Sequence, residues 1–283
     1  MTPDLAPLLR AEGLPATYED VVRRLHVPLA ARIAKAARAH GPGFRAGLCG
    51  PQGSGKTTSA RVLERLLAAE GLSAVILSLD DLYLPLAARR RLAAQVHPLL
   101  ITRGVSGTHD VGLGLQVLAS LPRPGPTMMP RFDKASDDRT APTPVEGPAD
   151  IILFEGWCIG AIPQGPAALA RPVNDLERDR DPDGVWRAYA NAELVGPYQE
   201  LFADIGLLVM FKIPSFEVVL DWRQEQERRA PRRGMTDAEI AVFIRHYERL
   251  TDWIQAEMPA RADVVVHLGE DRTIGEVIVR ERI

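Results

Sequence analysis

The feature that most restricts this chain is the run Gly50-Pro51-Gln52-Gly53-Ser54-Gly55-Lys56-Thr57-Thr58. It meets the phosphate-binding pattern G-x-x-x-x-G-K-[ST] at every fixed position. Its flanks suit that reading: residues 44–49 ahead of it make a short strand, and residues 57–67 behind it make a helix. Such a loop needs that setting. Glycines let backbone N–H groups face a polyphosphate, and the helix N-terminus adds favourable partial positive charge. Lys56 then reaches the β- and γ-phosphates, and the Thr57 hydroxyl ligates Mg²⁺. A chance glycine-rich turn before a helix is the competing reading, and both flanks argue against it. All nine residues are therefore the expected contacts for a nucleoside triphosphate.

The remaining composition narrows the class. A length of 283 residues fits one large or two small domains, and 46% hydrophobic content is ample for a core. A net charge of −3 argues against a nucleic acid or an anionic membrane as partner. Cys49 and Cys158 each follow an apolar run and read as small core residues rather than a disulfide, as in a reducing compartment. The N-terminus lacks a basic-then-apolar signal, and no apolar run approaches a membrane span. The expectation is a soluble cytoplasmic protein.

Apolar runs at 73–79, 151–154, 205–213 and 264–268, the last of them taken as the final strand, alternate with helical patterns at 18–40, 84–95, 110–120, 185–202, 216–229 and 236–258. Thr236-Asp237-Ala238-Glu239 is a capping box for the final helix. Uniformly apolar strands belong to parallel sheets covered on both faces. The expected fold is α/β, a P-loop NTPase-type parallel sheet with helices on both faces and a basic lid. One domain spans 1–283, with a helical N-terminal extension at 1–40. Segment 122–148, with seven prolines and little periodicity, reads as a loop insertion on the substrate side. Segment 167–184 reads as polar and exposed.

Ligands of open parallel sheets bind beyond the carboxyl ends of the strands. Those ends carry the phosphate loop, Asp80-Asp81 and Glu155. A clamp, a metal-ordering acid and a carboxylate near an acceptor hydroxyl are the parts of a phosphoryl transferase. Either acid alone is as well explained by helix capping. Side chains leaving a strand end alternate in direction, so Asp80 and Asp81 should face opposite ways. The cluster Arg223, Arg228, Arg229, Arg232 and Arg233 is interleaved with Asp221, Glu225 and Glu227. It reads either as a solvated face with internal ion pairs or as a mobile lid at 223–234 that neutralises phosphate charge.

Taken together, the phosphate loop, Ser78-Leu79-Asp80-Asp81-Leu82-Tyr83-Leu84, Arg103-Gly104-Val105-Ser106-Gly107-Thr108-His109-Asp110, Pro130-Arg131-Phe132-Asp133-Lys134-Ala135 and Ile152-Leu153-Phe154-Glu155-Gly156-Trp157 resemble the D-glycerate 3-kinase group of P-loop kinases. Uridine, pantothenate and phosphoribulose kinases are its wider relatives. The resemblance implies transfer of the ATP γ-phosphate to a small hydroxy acid, D-glycerate first among them. It implies Asp80 as the base and Glu155 as the residue that orders the water on Mg²⁺. Tyr83, His109, Asp110, Arg131, Asp133 and Lys134 would shape the acceptor pocket, with Arg131 and Lys134 suited to a carboxylate. Arg223, Arg228 and Arg229 would close over the phosphates. A nucleoside or pantothenate-type kinase and a regulatory ATP-binding protein are the alternatives.

Overall fold

The computed structural model describes residues 3–229 and 234–280, with Arg229 by its backbone only. Among the described residues eight strands form: β1 (Phe44–Cys49), β2 (Ala74–Ser78), β3 (Gly125–Asp133), β4 (Asp138–Gly147), β5 (Ile151–Gly156), β6 (Ile205–Lys212), β7 (Val264–Leu268) and β8 (Ile274–Val279). The central sheet runs β2-β5-β1-β6-β7-β8. All its pairings are parallel except β7 with β8. The sheet is thus mixed and mostly parallel. Sequence reading stopped one strand short, because Gly275 and Glu276 break the apolar run of a half-exposed edge strand.

The parallel strands divide their side chains between two cores with period two. Ile151 and Leu153, Leu207, Val209 and Phe211, and Val264 and Val266 enter one core, which the Val27–His40 and Lys56–Ala69 helices cover. Ile152 and Phe154, Leu208 and Met210, and Val265 enter the other, against residues of the Val111–Ser120 and Pro197–Phe202 helices. Each such buried aliphatic side chain contributes roughly 1.5–3 kcal/mol. Both faces are covered, as uniformly apolar strands require. The helical pattern at 18–40 is realised with a π-helical turn, Val22–His26, that turns His26 inward. No helix among the described residues is long and apolar enough to cross a membrane.

Three sequence expectations change. Segment 122–148 holds the antiparallel pair β3–β4 instead of a loop. Prolines at 126, 130, 142 and 144 hid the alternation, and a two-stranded ribbon tolerates them because most of its edge needs no donor. The register shifts between Met129 and Arg131, at Pro130. Segment 167–184 is not simply exposed: Glu177 and Asp181 are fully buried, held by Arg249 and Arg187. The helix expected at 185–202 breaks into Val185–Val195 and Pro197–Phe202, where Pro197 lacks the N–H to continue it.

Candidate active site

β1 delivers the phosphate loop, and three of its glycines have physical reasons to be glycine. A Cβ on Gly50 would lie 2.6 Å from Ser54 Oγ and 2.9 Å from Phe211 Cβ. Gly53 has φ +80°, and its Cβ would lie 2.5 Å from that of Trp222. Gly55, at φ +82°, turns the chain into the Lys56–Ala69 helix. Arg272 braces the loop from outside, donating from Nε to the Gly53 carbonyl (3.0 Å) while lying 5.2 Å over the Trp222 ring. Ser54 Oγ and Gln52 Oε1 are buried without a protein partner, which fits a cradle built for a ligand.

Glu155 ends β5 beside the loop. The Thr57 hydroxyl donates to its Oε1 at 3.2 Å, while its Oε2 is buried without a partner. A hydroxyl and a buried carboxylate with a spare oxygen form a hard oxygen set. Among the described residues no group of three or more His, Cys, Asp or Glu could hold a metal. The Thr57 hydroxyl and the spare Glu155 oxygen fit the demand of Mg²⁺, which takes one or two protein oxygens and fills its other positions with phosphate and water. The Thr58 hydroxyl donates to Glu12 Oε2 (3.0 Å) in the N-terminal segment.

Leu79–Leu82 is a turn of 3₁₀ helix, not a continuation of β2, so strand alternation does not apply. A 3₁₀ turn sets successive side chains about 120° apart, and this separates the two aspartates. Asp80 pairs with Lys134 (Nζ to Oδ2 2.6 Å) and accepts from the Tyr83 hydroxyl at 2.5 Å. Asp81 accepts from Arg131 Nη1 at 3.0 Å and from the Phe132 backbone at 3.1 Å. Burial alone would push the Asp80 carboxyl up; Lys134, Lys56 and the hydrogen bonds from Lys134 and Tyr83 outweigh it and hold the group well below the usual carboxylate range. Asp81 goes the other way, because burial there exceeds the help of Phe132 and Arg131. Two neighbouring carboxyls are thus driven apart.

The third wall is the 103–110 loop, joined to the acidic turn by a Tyr83–His109 backbone bridge. It is braced from behind. Gly104 has φ +111°, and a Cβ there would overlap the Tyr247 hydroxyl. Trp157 Nε1 donates to the Gly104 carbonyl (2.9 Å), Tyr247 to that of Arg103 (2.8 Å), and Gly107 N–H to the Tyr198 hydroxyl (3.0 Å). The Tyr198 hydroxyl also lies 2.5 Å from His109 Nδ1, and His109 Nε2 is buried without a partner. Burial pushes the His109 pKa down to about 3, so the ring is neutral.

Asp80, Tyr83, His109, Arg131 and Lys134 therefore gather in one place. Asp110 and Asp133 have other tasks. Asp110 caps the Val111–Ser120 helix through the Leu113 N–H and pairs with Arg139. Asp133 accepts from the Ala135 and Ser136 N–H groups in the turn between β3 and β4. Sequence reasoning missed Tyr198, Tyr247, Arg272 and Glu12, which have no local motif and reach the site only through the fold.

In the Glu217–Arg229 helix, Arg223 pairs with Glu227 at 2.7 Å, and Glu225 with Arg272 at 2.5 Å. Glu227 Oε1 also accepts from the Gly234 (2.6 Å) and Met235 (3.1 Å) N–H groups. Arg228 is exposed. The Arg229 side chain, Pro231, Arg232 and Arg233 lie outside the described residues.

No family model matches the chain. It is similar to the uncharacterized kinase mug58 of Schizosaccharomyces pombe (strain 972 / ATCC 24843), 31% identical over 231 residues that cover 76% of this chain and 82% of the relative. It is 30% identical over 252 residues to the chloroplastic D-glycerate 3-kinase of Arabidopsis thaliana, covering 80% of this chain and 52% of that protein, so it spans about half the plant relative's length. Among solved structures, D-glycerate 3-kinase from Cryptococcus neoformans var. grubii matches with a TM-score of 0.74 at 26% identity, over 90% of this chain and 99% of that one.

Proposed function

The chain belongs to the D-glycerate 3-kinase family of P-loop kinases, and on that premise we propose that it transfers the γ-phosphate of Mg-ATP to a hydroxyl of D-glycerate, giving 3-phosphoglycerate. The observation that carries this reading is the pairing of Asp80 with Lys134, beside Arg131 and next to the phosphate loop. A carboxylate that could serve as the base, with two cations close by that could hold a substrate carboxylate, supports this reading.

Lys56 and the loop N–H groups hold the β- and γ-phosphates. Thr57 would hold Mg²⁺ and Glu155 would order its water; when bound, the metal would neutralise phosphate charge. Asp80 takes the proton of the acceptor hydroxyl as its oxygen bonds to the γ-phosphorus, and the bond to the bridging oxygen breaks to release ADP. Lys134 and Arg131 bind the carboxylate of the acid. Lys134 is more than half exposed and lies on Asp80. A substrate carboxylate that draws it away restores basicity to Asp80, so substrate binding arms the base. His109 and Tyr83 line the pocket. Arg223 and Arg228 are the described members of the basic segment that would neutralise charge on the phosphates.

A nucleoside acceptor would need a free aromatic face. The Phe132 ring has the guanidiniums of Arg103 and Arg89 over it, at 5.7 and 5.9 Å, and Tyr83 against it at 5.0 Å. The covered ring favours a small acceptor.

Phosphorus NMR of reactions with Mg-ATP and D-glycerate, uridine or pantothenate tests the proposal. D-glycerate should give ADP and a 3-phosphomonoester, and Lys56→Ala should give neither. A product on uridine or pantothenate with none on glycerate overturns the acceptor. ATP turnover that no acceptor stimulates overturns the kinase reading in favour of a regulatory ATPase.

A further inference from the structure

Against the 103–110 loop, at Val105 and Ser106, lies a cavity of about 30 Å³. Its walls include Ser106 of the loop, Trp157 just after the Glu155-Gly156 strand end, Trp186, and His246 of the Asp237–Glu257 helix. Three of its lining residues carry a buried polar atom with no protein partner: Ser106 Oγ, Trp186 Nε1 and His246 Nε2. These residues are 1%, 3% and 6% exposed. Three other polar walls are engaged. Arg187 is held by Asp181, Arg249 by Glu177 and backbone carbonyls, and Asn191 binds the Gln164 backbone through both ends of its amide.

The donor pattern specifies a ligand. The indole N–H can only donate. His246 Nδ1 lies 3.1 Å from the Val242 carbonyl and 3.2 Å from that of Phe243, so Nδ1 carries the proton and Nε2 is an acceptor. The serine hydroxyl does either. The indole and imidazole meet edge to face, with centroids 5.7 Å apart, and do not satisfy each other. A single molecule that accepts once, donates once and makes one further bond of either sense resolves all three. Water does this, and a cavity needs only about 10–15 Å³ to hold one. The indole N–H groups of Trp157, Trp222 and Trp253 each donate to a backbone carbonyl at 2.7–3.0 Å; Trp186 alone has none. Leaving such groups both buried and unpaired is costly.

We propose that this cavity is a water site, in which one bound water accepts from Trp186, donates to His246 and bonds Ser106, tying the Asp237–Glu257 helix to the loop that carries His109. The bridge positions the acceptor side of the site from behind; this half of the inference rests on the function proposed above, and the water itself does not.

Tryptophan-labelled protein tests the water by NMR. The Trp186 indole proton should show the negative cross-relaxation to water of a long-lived bound molecule, and the other three indoles should not. The signal should survive Ser106→Ala, which removes any relay through that hydroxyl, and disappear in Trp186→Phe. No signal at Trp186 in the unaltered protein overturns the water site. Ser106→Ala should raise KM for the acceptor roughly fivefold with KM for ATP unchanged. An unchanged acceptor KM beside a persisting water signal overturns the positioning role. If the protein phosphorylates no acceptor, the NMR result still decides the water site.

Discussion

The two ends of the site are built differently. The nucleotide end is local: one contiguous run supplies the loop, and glycine geometry at Gly50, Gly53 and Gly55 sets its path. Its outside help includes the packed pair Trp222 and Arg272 and the acids Glu155 and Glu12. The proposed acceptor end is assembled. Asp80 comes from the turn after β2, Arg131 and Lys134 from the ribbon, and His109 from a loop braced by Trp157, Tyr198 and Tyr247. Backbone chemistry suffices for a polyphosphate, which every member of so broad a class must bind. Discrimination of a small acid needs side-chain charges brought from several segments.

That contrast breaks most visibly at the aspartates. Asp80→Asn should cut kcat by roughly 10²–10⁴ with little change in ATP affinity, because the base matters in the transition state. Asp81→Asn should cost less than about tenfold, since Asp81 anchors Arg131 and Phe132 and does not take the proton. Steady-state kinetics of both at saturating ATP decides it; a dead Asp81→Asn beside a near-normal Asp80→Asn would move the base.

Glycine substitutions separate the two ends. Gly53→Ala strains φ +80° against Trp222 and should raise KM for ATP, while Gly104→Ala strains φ +111° against Tyr247 and should raise KM for the acceptor. Each should also cost roughly 1–3 kcal/mol of stability. Gly165, with open space around it and no positive φ, is the control. If both variants raise the same KM, the two ends are one unit.

A further test is pH. Burial pushes His26, against Ser59 at the nucleotide end, down to about 4, His109 at the acceptor end to about 3, and His246 to about 4. Unfolded histidines titrate near 6.5. As pH falls from about 6.5 towards 4 the unfolded chain binds protons that the folded chain refuses, so stability falls with pH by up to about 1.4 kcal/mol per unit for each histidine. Urea midpoints between pH 7 and 5 should show this, and His26→Gln should flatten the slope. An unchanged slope would mean that His26 is not held neutral.

Much of the sheet could be read in the chain, because strands buried on both faces are apolar throughout and advertise themselves. β8 could not, since an edge strand half in water carries Gly275 and Glu276. Neither could the β3–β4 ribbon, whose prolines erase the alternation that marks a strand. Asp80 and Glu155 were visible as acids at strand ends. Asp110 and Asp133 entered only through the resemblance, as acceptor-pocket residues, and their backbone partners form a helix cap and a turn.

What the sequence determined by itself is whatever depends on neighbours in the chain: the phosphate loop, the helix behind it, the capping box of Thr236 and Glu239, and the alternation of β and α. These rest on backbone geometry and short-range periodicity, which a one-dimensional pattern records. Tertiary structure decided which acid meets Lys134, which glycine faces Tyr247, and that Ser106, Trp186 and His246 share a cavity. Those outcomes depend on distance and burial between residues far apart in sequence, where no local pattern carries the information.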